Sequence, residues 1–387
     1  QFTLSPYHHR PTEYRVPMSE FCKFTPLVQS LPASVPFVGP ETQERQAGRA
    51  FRARIGANES GFGPAPSVKA AMAAAADAVW KYGDPENHDL RQALAAHLGL
   101  SSDRIVVGEG IDGLLGLVVR QIVGDGTPVV TSLGAYPTFN YHVAGFGGRL
   151  VTVPYHEDRE DLDALLSAVK RERAPLVYLA NPDNPMGTWH AAEAIVAFAR
   201  ALPEDTMLVL DEAYGETAPQ SALPAVDTLV EAPNILRMRT FSKGYGLAGL
   251  RCGYAFGSEG TITSFNKVRN HFGVNKMAQV AALVALEDQA YLDEVRGRIS
   301  GSLERIGAIA RANGLEPLAS ATNFVAIDCG QGGDFAAALL GELVRRGVFV
   351  RMPGVAPLNR CIRISAGPDG AMDVLEEELP QALAAVS

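Results

Sequence analysis

Cysteine is scarce. The 387 residues hold four, Cys22, Cys252, Cys329 and Cys361, widely spaced and with no Cys-x-x-Cys pair. That usage gives no metal signature and fits reduced thiols in a cytoplasmic protein. Positive charge is also in deficit: 34 Lys and Arg against 43 Asp and Glu give a formal net charge of −9. Such a balance argues against nonspecific binding to nucleic acid or to an anionic membrane. No apolar run approaches the ~18 residues of a membrane span. No charged-then-apolar signal segment opens the chain, and its first residue is Gln1 rather than Met, so the encoded start is expected upstream. Internal repeats and low-complexity tracts are missing, Ala-rich segments apart. What is present is ordinary for a globular protein, 47% hydrophobic and 20% charged residues. The length suggests two or three domains.

Residues 1 to about 50 are rich in proline and polar side chains, and read as an extended arm with little regular structure. His8 and His9 belong to that arm, because no Cys or acidic partner has ligand spacing. A turn-rich loop, Ala57–Pro66, precedes an Ala-rich helix to about Val79, with Ser67 expected as its cap. From about 89 to 256 the pattern alternates. Strands are expected at 104–107, 128–131, 149–153, 176–179, 207–210, 235–238 and 252–256. Helices are expected at 89–98, 112–123, 138–146, 161–171 and 190–201. This predicts a mostly parallel sheet covered by helices, with ligands beyond the carboxyl ends of its strands. Helices at 259–271, 276–287 and 290–313 then lead to a smaller α/β unit of strands 323–327, 348–350 and 361–364 with helices 333–346 and 369–384.

Chemistry gathers around Thr240-Phe-Ser-Lys-Gly-Tyr-Gly-Leu-Ala-Gly-Leu-Arg-Cys-Gly-Tyr254. Lys243 is an amine of shiftable pKa among glycines that permit close approach of a ligand. Ser242 and Arg251 suit a phosphate. Together they describe a pocket for an aldehyde bearing a phosphate, which is pyridoxal phosphate, although a Gly-rich surface loop would read similarly. The apolar strand Met207–Leu210 ends in Asp211, where a carboxylate needs a partner; a pyridinium nitrogen would serve, and so would a capping role. Tyr214 and Asn184, the latter in Asn-Pro-Asp-Asn-Pro-Met-Gly187, could donate to the cofactor's phenolate oxygen. Gly108-Glu-Gly-Ile-Asp-Gly113 spells GxGxxG, the dinucleotide fingerprint. The next strand ends in Val130-Thr-Ser-Leu, without the carboxylate that fingerprint requires. A single-phosphate site at a helix start fits better. Pro137-Thr-Phe-Asn-Tyr141 supplies aromatics for stacking or for the core.

Together these segments resemble the fold-type I pyridoxal-phosphate aminotransferases, and most closely the histidinol-phosphate aminotransferase branch, from about Pro36 to the C-terminus. The resemblance implies an α/β protein of that fold: an arm and part of the small domain at 1–57, a large cofactor-binding domain at 58–285, and a small domain at 286–387. It makes Lys243 the Schiff-base lysine and proton carrier, Asp211 the partner of the pyridine nitrogen, and Tyr214 and Asn184 the holders of the phenolate oxygen. Ser242, Arg251 and the amides of Ile111 and Asp112 would bind the phosphate, joined by Tyr82 from a second subunit. Phe139 is the expected stacking aromatic and Tyr136 the reserve. Arg363 would grip the substrate carboxylate and Arg351 a side-chain phosphate. The implied molecule is a homodimer with shared active sites, moving an amino group between a small-molecule donor and a 2-keto acid.

This chain departs from the branch at several points. Ile111-Asp112-Gly113 replaces a Ser-Asp-Glu-like triplet. Asp183-Asn184-Pro185-Met186-Gly187 replaces Asn-Asn-Pro-Thr-Gly, and Asn58-Glu59-Ser60-Gly61 replaces Asn-Glu-Asn-Pro. Phe37 stands where a tyrosine helps to bind the substrate phosphate, so a relaxed donor pocket is expected. A decarboxylase of the threonine-phosphate type is the nearest alternative activity, and an NAD-dependent oxidoreductase a distant one.

Overall fold

The computed structural model of the protein describes residues 23–33 and 38–386. Phe37, Cys22, His8 and His9 lie outside the described residues. The expected α/β architecture is present. A seven-stranded sheet is built from β2 (Ile105–Gly108), β3 (Pro128–Ser132), β4 (Arg149–Val153), β5 (Leu176–Ala180), β6 (Met207–Asp211), β7 (Ile235–Thr240) and β8 (Gly253–Gly257). Its order is β2-β8-β7-β6-β5-β3-β4. Only β8 runs against the others, pairing antiparallel with both β2 and β7. The central strands Leu-Val-Tyr-Leu-Ala and Met-Leu-Val-Leu-Asp carry almost no outward polar positions, so helices must cover both faces. One cover is the helix Gly110–Ile122, whose Ile111, Leu114, Leu115, Val118 and Val119 fall on a single buried stripe.

The helix Gln289–Ala312, capped by Asp288 Oδ1 accepting from the Tyr291 amide (3.2 Å), leads into a second core. There β9 (Glu316–Pro317), β10 (Phe324–Asp328) and β12 (Cys361–Ser365) form an antiparallel sheet ordered β12-β10-β9. The N-terminal strand β1 (Ala53–Arg54) pairs in parallel with β11 (Val348–Phe349). Ala53 and Ile55 therefore join a core made otherwise of residues from Ile306 to Ala382. Residues 56–58 then lead back to the large sheet, so this short stretch ties the two cores together.

Several local expectations needed correction. The proline-rich arm contains two helices, Pro26–Ser30 and Pro40–Ala47. Each proline sits at the first helical position, where the missing amide hydrogen costs nothing and the fixed φ assists. Thr25 caps the first, and Gly48 closes the second at φ 67°. The Ala-rich helix begins at Pro66, so Ser67 is inside it and donates instead to Asp288 Oδ2 (2.6 Å). The helix expected over 259–271 stops at Ser264, followed by one tight turn, Phe265–Lys267. Ser264 Oγ bonds back to Thr261 O (2.6 Å), the local competition that weakens Ser and Thr in helices.

Candidate active site

Register across the sheet brings the expected phosphate groups together. Gly253 on β8 is opposite Gly108 on β2 and Thr240 on β7. The chain segments that follow Gly108 and Thr240 therefore emerge side by side. One starts the helix at Gly110 (φ 76°); the other carries Ser242 and Lys243. A Cβ on Gly110 would lie 2.7 Å from Arg251 Nη2, and one on Gly253 would lie 3.0 Å from the Ile111 amide nitrogen. Only glycine leaves that cradle open. Arg251, itself at φ 58°, reaches Asp112 Oδ2 at 3.5 Å. A helix N-terminus, a guanidinium and the Ser242 hydroxyl are a fitting donor set for a phosphate.

Asp211 ends β6 with 4% exposure. Tyr178 donates to its Oδ2 (2.8 Å) and the Ala213 amide to its Oδ1 (2.9 Å). Burial nonetheless pushes its carboxyl up to about 6, so a cation beside it would relieve a real electrostatic cost. The Ala213 bond closes a local turn; no helix begins directly after Asp211, so the helix-cap reading is not met.

Lys243 Nζ donates to the Asn58 carbonyl (3.0 Å) and lies 5.5 Å from the Tyr214 ring centre. Burial first, and then the Arg363 charge, lower its amine to about 8. A substantial fraction is therefore the neutral nucleophile near neutral pH. Tyr214 is buried, accepts from Asn58 Nδ2 (3.0 Å) and meets Phe324 edge-on.

On β12, Arg363 donates to Asn184 Oδ1 and lies over the Phe324 ring at 5.1 Å, while its Nε is buried with no hydrogen-bond partner. Its backbone bridges to Arg351, through the Arg351 amide to Arg363 O (3.2 Å) and the Arg363 amide to Arg351 O (2.6 Å). The two guanidinium residues expected at the substrate are thus neighbours. Arg351 Nη2 also donates to Val38 O (2.8 Å), beside the undescribed Phe37.

Two further expectations concern the aromatic residues Phe139 and Tyr82. Phe139 is wholly buried and stacks on Tyr178 (ring centres 4.6 Å apart, 18° between planes). Its ring belongs to the core behind the sheet, because Tyr178 and the helix Gly110–Ile122 enclose it. Tyr136, the reserve, donates its hydroxyl to Asp112 Oδ1 (2.7 Å). Tyr82 is 82% exposed and touches Phe272 (5.0 Å), away from this chain's own site. Two adjoining clefts of about 330 and 430 Å³, around Arg91 and Arg269, hold none of the expected residues.

Asn58, Tyr178, Asn323 and Ser365 were not expected at the site. Asn323 Nδ2 and Lys243 Nζ share the Asn58 carbonyl, and Ser365 Oγ donates to Asn58 Oδ1 (3.0 Å). A signal for Asn58 was available: a non-Gly residue at positive φ is most readily Asn, and Asn58 sits in a Gly- and Pro-rich loop.

Residues 54–379 match the family model described as aminotransferase class I and II. The chain belongs to that family. Among related aminotransferases, histidinol-phosphate aminotransferase 2 of Ralstonia nicotianae is 36% identical over 338 residues, 86% of this chain and 90% of that one. The enzyme of that name from Roseiflexus castenholzii is 35% identical over 91% of this chain and 97% of its own length. A crystal structure of histidinol-phosphate aminotransferase from Sinorhizobium meliloti, in complex with pyridoxal-5′-phosphate, superposes with a TM-score of 0.94. It is 63% identical and covers 96% of this chain and 100% of that one. Thermus thermophilus aspartate aminotransferase with maleate shares the fold, at 22% identity and a TM-score of 0.78. An aminotransferase of this fold leaves no place for the dinucleotide reading of Gly108–Gly113. Among the described residues no group of His, Cys, Asp and Glu has a metal-binding arrangement, and no helix is long and apolar enough to cross a membrane.

Proposed function

We propose that this aminotransferase works with pyridoxal 5′-phosphate and moves an amino group between an amino-alcohol phosphate of the histidinol-phosphate kind and a 2-keto acid. The observation that carries the reading is a set of three opposed environments within one site. Lys243 is an amine lowered to about 8, Asp211 is a carboxylate raised to about 6, and Arg363 keeps a buried, unpartnered Nε. An aldehyde, a protonatable ring nitrogen and an acid group answer them in turn.

When bound, the cofactor supplies an electron sink for the pair left at the donor's Cα. The protein's residues do the rest. Lys243 would hold the cofactor through Nζ and, with that amine free, would serve as the base that takes the donor's Cα proton and the acid that gives it back. Asp211 keeps the ring nitrogen protonated. Tyr214 and Asn184 donate to the phenolate oxygen, with Asn184 held in place by Arg363. Ser242, Arg251 and the Ile111 and Asp112 amides would hold the phosphate, and Tyr136 would be the aromatic available to the ring. Arg363 receives an α-carboxylate through its fork, and Arg351 beside it receives the side-chain phosphate.

We divide the chain at about residues 57 and 285; the separate core that joins Ala53 and Ile55 to residues from Ile306 onward supports a smaller unit, while Leu286 and Leu292 still pack with the larger core. The protein acts as a homodimer in the cytoplasm. The exposed Tyr82–Phe272 pair supports a surface from which Tyr82 would reach a second subunit. The test is direct. Purified protein with the cofactor should show a visible band that borohydride bleaches, leaving the adduct on Lys243, and should convert histidinol phosphate with 2-oxoglutarate to glutamate. An adduct on another lysine, or carbon dioxide release in place of glutamate, would overturn it.

A further inference from the structure

Asn58 is 2% exposed and stands at φ 56° on the stretch that joins the two cores. Its hydrogen-bonding groups are all engaged. Its amide N–H donates to Ser365 Oγ (3.0 Å), and its Oδ1 accepts from that same hydroxyl (3.0 Å). Its Nδ2 donates to Tyr214 Oη (3.0 Å). Its carbonyl accepts from Lys243 Nζ (3.0 Å) and Asn323 Nδ2 (3.1 Å). These bonds have a direction. The Ser365 oxygen takes the backbone N–H and gives its single hydrogen to Oδ1. That choice turns the amide NH2 toward Tyr214. Tyr214 then accepts from Asn58, and its own hydrogen is left for a different oxygen. Burial keeps the phenol protonated, so the hydrogen is there to give.

We propose that Asn58 is a positioning residue that fixes Tyr214 as a hydrogen-bond donor to the cofactor's phenolate oxygen, and ties that polarity to β12, two residues from Arg363. The inference rests on the pyridoxal-phosphate reading above. The charged groups facing Tyr214 are Arg363 on β12, Asp211 at the end of β6, Asp183 in the loop after β5 and Lys243 after β7. None of these fixes the direction of the hydroxyl: Arg363 only donates, Lys243 Nζ is engaged by the Asn58 carbonyl, and Asp211 already accepts from Tyr178 and Ala213. Asp183 is occupied by Tyr155 and the Met186 amide. The arrangement gives Asn58 a role that packing alone would not. The bonds run Ser365 to Asn58 to Tyr214, so the strand that carries the substrate-binding arginine also sets the donor at the cofactor.

The experiment reads the pH at which the visible band of the lysine-bound cofactor titrates. A donor to the phenolate oxygen stabilises its charge and favours loss of the neighbouring proton, so losing the donor raises the midpoint. Asn58→Asp replaces a donor by a group that only accepts, and Tyr214 turns toward it. The midpoint should rise by more than about one unit, of which the lost donor accounts for about one, the size of one charged hydrogen bond. Part of that rise comes from the added negative charge, which is measured separately in the Tyr214→Phe background. The expected result is a larger rise with Tyr214 than without it, by about one unit. Asn58→Gly keeps the left-handed backbone without strain and removes the side chain alone. It should give a smaller rise, present with Tyr214 and absent without it, and it carries the test if the Asp variant fails to fold. Equal shifts in both backgrounds would overturn the proposal while leaving the cofactor reading intact. A wild-type protein with no band on Lys243 would overturn both. Thermal midpoints of the cofactor-free variants show that each is folded before its titration is read.

Discussion

Asp211→Asn separates the cost of burying a charge from the use made of it. In the protein's own surroundings the Asp211 carboxyl stands at about 6 against an ordinary 3.8, mainly through burial. About two units at 1.36 kcal/mol each amount to about 3 kcal/mol of destabilisation when the group is ionised. At 4% exposure that figure needs no discount for solvent. The sign follows from the folded state binding the proton more tightly than the unfolded state. The penalty is absent below about pH 4, grows as pH rises toward 6, and is complete above it. Asparagine keeps an acceptor for Tyr178 but turns an NH2 toward the Ala213 amide, so one bond worth about 1 kcal/mol is lost at every pH. Urea denaturation of the cofactor-free proteins should therefore show the variant's relative stability improving by about 3 kcal/mol between about pH 4 and pH 8. With the cofactor bound the effect reverses. The carboxylate that destabilises the protein alone becomes the counter-ion of the ring nitrogen, and its loss should cut kcat by about 10²-fold, the equivalent of 2–3 kcal/mol. A stability difference that stays flat with pH would refute the buried-charge argument. Near-wild-type turnover at saturating cofactor would refute the electron-sink role.

The other predictions test the remaining groups. Lys243→Ala should abolish turnover and the borohydride-fixed adduct while leaving cofactor held through its phosphate, measured by retention on gel filtration. In the cofactor-free protein, acylation of Lys243 should rise with a midpoint near about 8 rather than the ordinary 10.5, because burial and Arg363 disfavour the ammonium; a midpoint at the ordinary value would contradict the site's electrostatics. Arg363→Lys keeps the charge and loses the fork, so KM should rise about tenfold for every amino and keto acid tested, in proportion to ~1.4 kcal/mol. A defect confined to one substrate would place Arg363 elsewhere in the reaction. An amino-donor panel with 2-oxoglutarate should show histidinol phosphate accepted together with aromatic donors, as Phe37 in place of a hydroxyl-bearing ring implies. Negligible activity on phenylalanine and tyrosine would show that Arg351 alone keeps the pocket strict.

Much of this was legible in the sequence because each signal is local and covalent. The alternation of short β-branched runs with helical stretches gives a parallel sheet, and Asp211, Lys243 and Gly110 lie within a few residues of strand ends. Backbone punctuation was harder. Pro26 and Pro40 read as helix breakers when they are helix starters, since the same fixed φ serves both. Phe139 and Tyr136 sit three residues apart, on one helix and just before it. That Phe139 packs on Tyr178 while Tyr136 bonds to Asp112 is a tertiary fact without a sequence signal. Asn58 was passed over for a similar reason. Its partners Ser365, Asn323 and Tyr214 are 307, 265 and 156 residues away, and no local pattern announces bonds at such separations.

The departures from ordinary pKa values at the site share a cause, burial that disfavours the charged form. Asp211 is raised mainly by burial, and Lys243 is lowered by burial and then by the Arg363 charge. Arg363 is itself lowered by burial, with Arg351 close by adding to the effect. Each group would return toward its ordinary value if the charge it lacks were supplied: a cation at Asp211, a carboxylate at Arg363. Lys243 is the exception, since covalent attachment removes the need for it to carry a free ammonium. The protein alone is thus electrostatically strained at the place where it binds, and the strain is relieved by ligands rather than by other side chains. Stability and activity should accordingly move in opposite directions when these residues are neutralised. Neutralising Asp211 is the cleanest case, because Tyr178 and the Ala213 amide already hold its oxygens and the substitution changes charge with little change of shape.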